Sequence, residues 1–167
     1  MENRHRIAQH FTASGVVLCH EHILLVHHRR IQAWLPPGGH IEDFEMPHEA
    51  AAREIFEETG VEVEMLGDRL PQTGDPDAFF LAQPLCLHAV RARENGEDVY
   101  HLDIAYLCVP RGFIPGEPAA PGALPDLKVG EDVKEARWVR LSDLDRWNLA
   151  KNVREAVALA LTALARS

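Results

Sequence analysis

Two short apolar runs, Gly15-Val16-Val17-Leu18-Cys19 and Ile23-Leu24-Leu25-Val26, are separated only by His20-Glu21-His22. They are too short for helices and rich in β-branched residues. They predict a β-hairpin closed by a three-residue turn, each strand with little exposed face. Trp34-Leu35-Pro36-Pro37-Gly38-Gly39 then breaks the pattern, because two prolines forbid a helix and two glycines admit unusual torsions. The period changes to a helical one from Pro47 to Thr59, with Ala51, Ala52, Ile55 and Phe56 as the apolar stripe. Pro47 suits the first turn, where its missing N–H costs nothing, and Gly60 suits the left-handed position at a helix end.

Val61 to Leu66 alternates and predicts a strand, whereas residues 67–84 read as a loop. Leu85–Arg93 and Tyr100–Val109 predict a second hairpin, joined through Glu94-Asn95-Gly96-Glu97 with its Asn-Gly turn signal. Residues 110–130 hold five of the eleven prolines and four of the eleven glycines, a long loop of the kind that carries function or moves. Ala136 to Val139 resumes strand character, and Ser142-x-x-Asp145 predicts a capped helical start. A last helix, about Lys151 to Arg166, repeats Val153, Val157, Leu161 and Ala156, Ala160, Leu164 for packing. Strands first, one helix inserted and one or two at the end predict a mixed sheet with helices packed on it. That is an α/β or α+β fold, a single domain over residues 1–167.

Composition narrows the partners. The 167 residues are 46 % hydrophobic and 26 % charged, and 26 acids against 17 Lys and Arg give a net charge of −9. This excludes a protein held to nucleic acid by phosphate attraction, or to an anionic membrane surface. A phosphorylated small molecule remains open, provided a bound divalent cation reverses the local field. Cys19, Cys86 and Cys108 are far apart and fit no C-x-x-C spacing, so they read as small hydrophobes in a reducing compartment. No run approaches the ~20 apolar residues of a membrane span. No apolar h-region follows the basic start, so the expected location is cytoplasmic.

On the helix, Glu54, Glu57 and Glu58 are three and four residues apart and share one face. One explanation is a solvated acidic face, partly neutralised by Arg53 at four residues from Glu57. The other is a site for a hard cation, which takes carboxylates, waters and substrate phosphates as ligands. The preceding glycine loop favours the second. The segment Gly39 to Val61 resembles the Nudix box, G-x5-E-x7-R-E-U-x-E-E-x-G-U with U a bulky aliphatic residue. Gly39, Glu45, Arg53, Glu54, Glu57, Glu58 and Gly60 fill every fixed position, and Ile55 and Val61 both aliphatic ones. The order of elements around the box is similar to that family too.

The resemblance implies a Nudix-type α/β/α sandwich with a mixed β-sheet. It implies hydrolysis of a nucleoside diphosphate linked to another moiety, such as a nucleoside triphosphate or nucleotide sugar. The implied cofactor is Mg2+, or Mn2+. Carried over by position, Glu54, Glu57 and Glu58 are the metal carboxylates, with Glu54 also a general-base candidate in some members and the Gly38 carbonyl an extra ligand. Arg53 and Glu45 join the catalytic set as residues that orient the loop against the helix. A further acidic ligand from the loop before the Arg137-Trp138-Val139 strand would be Glu131, Asp132 or Glu135. A homodimer is a common family assembly, although no residue pattern here marks an interface. Substrate choice in the family lies outside the box, in loops such as 67–84 and 110–130.

The box departs from its commonest form at Phe44, where Gly is frequent, and at Met46, where Ser or Thr usually caps the helix. Weaker substrate-binding candidates are Arg29 and Trp34 beside the loop, and His101 and Asp103, which alternation puts on one strand face. A solvated arginine and a core His–Asp pair are the competing readings. His20, His22, His27 and His28 are numerous, but a hairpin turn and strand end predict exposure, with no H-x3-H helix to support zinc. The alternative function is a non-catalytic nucleotide-sensing module on the same fold. An isoprenoid diphosphate isomerase lacks its reactive cysteine setting here, and action on RNA 5′ ends lacks a basic groove.

Overall fold

The computed structural model describes residues 7–67, 70–118 and 123–166. Its strands are β1 (Ala8–Cys19), β2 (His22–His28), β3 (Trp34–Leu35), β4 (Gly38–His40), β5 (Val63–Leu66), β6 (Cys86–Glu94), β7 (Glu97–Pro110) and β8 (Val133–Arg140). Helix α1 (Pro47–Thr59) stands between β4 and β5, and α2 (Val153–Leu164) follows a 3-10 turn at Leu141–Arg146. The long strands β1 and β7 run parallel through the centre, from Ala8 opposite Val99 to Val17 opposite Cys108. The other strand pairings are antiparallel. β4 and then β2 lie along β1, β6 and then β5 along β7, and β3 and β8 pair with β2.

Strand alternation distributes the core to two faces. Ala13 and Val17 of β1, with Tyr106 and Cys108 of β7, pack under Ala50, Ala51 and Ile55 of α1. Val16 and Leu18, with Leu107, pack under Val153, Ala156, Val157 and Ala160 of α2. The result is the α/β/α sandwich with a mixed sheet. At the N-terminal end of β1 the second face is polar, carrying His10, Thr12 and Ser14. Among the described residues, no helix is long and apolar enough to cross a membrane.

Several local expectations are corrected. The first hairpin turn has two residues, because His22 joins the ladder opposite Cys19 and His20 takes a left-handed φ of 51°. The buried stripe of α1 is Ala50, Ala51, Ile55, Glu58 and Thr59, while Phe56 is exposed. The stripe is rotated because an acid, Glu58, occupies an inward position. Ser142 lies inside the 3-10 turn instead of capping an α-helix. Leu161 of α2 is exposed. The Asn95-Gly96 turn has the two positive φ values, 49° and 85°, that match the twist of a hairpin.

Candidate active site

Helix α1 carries the acids and the loop before it carries their partners. Glu49 accepts the Met46 N–H at 2.8 Å, and its own N–H goes to the Met46 carbonyl at 2.9 Å, a backbone bond in place of the side-chain cap that Met46 cannot make. Gly60, at φ 73°, ends the helix in the left-handed region. Phe44 is absent from the left-handed non-glycine residues His20, Gln32, Asn95 and Asn152, so the loop passes it with ordinary torsions.

Arg53 is the hub. Its Nε and Nη2 donate to the two carboxylate oxygens of Glu45, at 2.9 and 2.6 Å. Its Nη2 also donates to the carbonyl of His40 at 3.0 Å, tying β4 to the helix. Its Nη1 donates to Oε1 of Glu54 at 2.8 Å and to Oε2 of Glu57 at 3.1 Å. One planar guanidinium thus fixes the loop acid and two helix acids, geometry that an ammonium could not match. The Arg53 bond holds the Glu45 carboxyl below its ordinary range. Both explanations weighed from the sequence meet here: Arg53 does neutralise the acidic face, and it leaves Oε2 of Glu54 and Oε1 of Glu57 outside its own bonds.

Glu58 is only 5 % exposed, and its Oε2 accepts the Gly38 N–H at 3.1 Å. Burial pushes its carboxyl up to about 8, with Glu54, Asp132 and Glu57 adding repulsion. Burial also raises Glu54, against the pull of Arg53. A buried acid with one backbone donor and three acids nearby is a place where a cation would recover the desolvation cost. Gly39 completes the cradle. A Cβ there would stand 2.5 Å from the Glu54 carboxylate, so a side chain at this position would displace the acid. The crowded, partly unneutralised carboxylates fit a hard divalent ion, which Glu54, Glu57 and Glu58 could hold.

The remaining candidates are dispersed. Asp132 is close enough to raise Glu58, whereas Glu135 bonds Arg137 and Glu131 gives its carbonyl to Arg29 Nε at 2.9 Å. Trp34 stands edge-on between His27 and Trp147, with ring centroids at 5.2 and 4.8 Å. His101 and Asp103 share a face but not each other. Asp103 takes Thr12, Ser14 and His88 at 2.9, 2.6 and 2.9 Å, while His101 bonds Glu94 at 2.7 Å.

Sequence reasoning missed Gly130. Its N–H donates to the Glu58 carbonyl at 3.0 Å, and Lys128 N–H donates to the Thr59 carbonyl at 2.8 Å. A Cβ on Gly130 would lie 2.2 Å from the Glu57 carbonyl. The end of the long loop is thereby fastened to the last turn of α1, satisfying carbonyls the helix leaves open. A glycine between the loop and the next strand was the available signal.

The family model for the NUDIX domain matches residues 9–160. The chain therefore belongs to the NUDIX domain family. Solved structures agree on the fold. A NUDIX-family hydrolase from Clostridium perfringens is 24 % identical with a TM-score of 0.64, over 94 % of this chain and 97 % of that one. The NUDIX domain of Shewanella oneidensis NrtR, complexed with ADP ribose, is 17 % identical with a TM-score of 0.64, over 98 % and 94 %. A bifunctional NMN adenylyltransferase/ADP ribose pyrophosphatase from Francisella tularensis, complexed with AMP and a Mn ion, is 18 % identical with a TM-score of 0.61. The match covers 96 % of this chain and 43 % of that longer protein.

Proposed function

We propose that this Nudix-type hydrolase uses water to split the P–O–P bridge of a nucleoside diphosphate carrying a second group, in the cytoplasm and with Mg2+ or Mn2+. The observation that supports it most is Glu58, a buried carboxylate beside Glu54 and Glu57 with a glycine bend over it. Glu54, Glu57, Glu58 and the Gly38 carbonyl would hold the ion. When bound, the ion screens the phosphate oxygens and lowers the pKa of water, which a chain of net charge −9 could not do alone.

The chain's own groups do the rest. Glu54, the general-base candidate, keeps its Oε2 outside the bond to Arg53 and would receive the proton that the attacking water releases. The water oxygen bonds to one phosphorus, the bridging bond breaks, and the leaving phosphate departs with the electron pair. Arg53 holds Glu45 and Glu54 in place through this change and keeps the acids from collapsing outward. The substrate is a small phosphorylated nucleotide, in keeping with the ADP ribose and AMP found with the two relatives.

Phosphate or nucleotide release, measured over nucleoside triphosphates, nucleotide sugars, ADP-ribose and dinucleoside polyphosphates with Mg2+, tests the reading. Turnover lost in the Glu57→Gln and Glu58→Gln variants is expected. Variants that match the parent on its best substrate would overturn the site. The second reading, a nucleotide-sensing module, rests on the hold of Arg53 over Glu54 and Glu57. It would show as tight nucleotide binding without turnover on any substrate.

A further inference from the structure

On the sheet face opposite α1, four strands each contribute one ligand-type side chain to a single point. They are His10 from β1, His40 from β4, Glu94 from β6 and His101 from β7. The register explains the convergence. His10 lies directly opposite His101, and Thr12, next along that face of β1, lies opposite His40. Glu94 closes the group from the end of β6, just before the Asn95-Gly96 turn. Its Oε2 meets His10 Nδ1 at 2.9 Å, and its Oε1 meets His101 Nε2 at 2.7 Å and His40 Nε2 at 3.1 Å. The four ligand atoms all lie within 4.8 Å of one another. The rings approach in different planes, His40 tilted 56° to His10 and 79° to His101.

We propose that His10, His40, His101 and Glu94 form a second metal site, which takes a divalent first-row transition ion of the Zn2+ type. Three borderline imidazole nitrogens beside one carboxylate suit such ions, whereas Mg2+ prefers a set of oxygens alone. Four ligands match tetrahedral coordination. At Zn–N lengths of about 2.0–2.1 Å, neighbouring ligand atoms sit roughly 3.4 Å apart. Contacts of 2.7–3.1 Å join each ring nitrogen to the Glu94 carboxylate. Entry of the ion opens these contacts by a few tenths of an ångström. Each imidazole then presents its lone pair and keeps its proton on the other ring nitrogen.

The site is distinct from the acids of α1. His40 and Gly39 are adjacent on β4, but strand alternation turns Gly39 toward Glu54 and His40 to the opposite face. Arg53 donates to the His40 carbonyl, so an ion on His40 would also stiffen the strand that precedes the glycine bend. The assignment stands apart from the proposed hydrolysis, and its test reads metal binding alone.

The full chain, without an affinity tag, is stripped with chelator, dialysed and titrated with Co2+ in excess Mg2+. The parent is expected to take one Co2+ with the visible absorption of four-coordinate cobalt, and Zn2+ is expected to displace it. His101→Ala and Glu94→Gln should weaken uptake by about tenfold or more. Should either fail to fold, His40→Ala gives the same readout at an exposed side chain, with circular dichroism to confirm folding. Glu57→Gln should keep the cobalt band. A parent with no band, a band that survives in folded His40→Ala and His101→Ala, or a band abolished by Glu57→Gln would overturn the proposal.

Discussion

The two faces of this sheet gather polar side chains by opposite means. On the α1 face, Glu45, Arg53, Glu54, Glu57 and Glu58 come from one loop and one helix, within fourteen positions of sequence. Their donors to an ion are all oxygens, and an arginine already holds two of the three helix acids. On the other face, His10, His40, Glu94 and His101 come from four strands and meet only because the sheet pairs them. Their donors are mainly nitrogens, with no arginine or lysine among their bonds to Glu94. Local sequence gathers oxygen groups, and long-range pairing gathers nitrogens.

Metal exchange separates the two most sharply. Chelation is expected to reduce hydrolysis by roughly a thousandfold or more, and Mg2+ or Mn2+ to restore it. Steady-state turnover checks this, and restoration by Zn2+ alone would merge the two regions into one function. Glu58→Gln comes next, with kcat expected to fall roughly a hundredfold or more, because the variant has no carboxylate with which to hold the cation. Arg53→Lys should lower the unfolding free energy by about 2 kcal/mol and kcat by roughly tenfold. Lysine cannot span Glu45, Glu54 and the His40 carbonyl at once. Denaturant melts and kinetics read the two effects.

These expectations rest on features of unequal legibility. The acid spacing, the box and the helix from Pro47 to Thr59 could be read because they depend on near neighbours. The inward turn of Glu58 and the exposure of Phe56 could not, because a helical stripe gives a face but not the phase at which it meets a sheet. Likewise, alternation put His101 and Asp103 on one side, yet their partners depended on which strands lie beside β7. The pairing of His101 with Glu94 and of Asp103 with His88 is a property of register.

Two smaller effects sharpen the contrast further. Gly130→Ala forces a methyl group against the Glu57 carbonyl, 2.2 Å away, and is expected to cost about 1–3 kcal/mol in thermal or denaturant unfolding. On the strand face, the bond to Asp103 raises the His88 imidazole above its ordinary 6.5, against the opposing effect of burial. The charged pair therefore stabilises the fold fully below pH 6.5, and that contribution fades as pH rises through the elevated value. Melting curves of the parent and His88→Asn should differ most in acid, by less than about 1 kcal/mol, and converge in base.

The fastening of residues 128 and 130 to the end of α1 bears on how such a protein can change over generations. Between that anchor and β7, insertions and deletions can accumulate without shifting the helix they are moored to. Sequence in that stretch can then vary while α1 stays still, a division of labour written into two amide hydrogens.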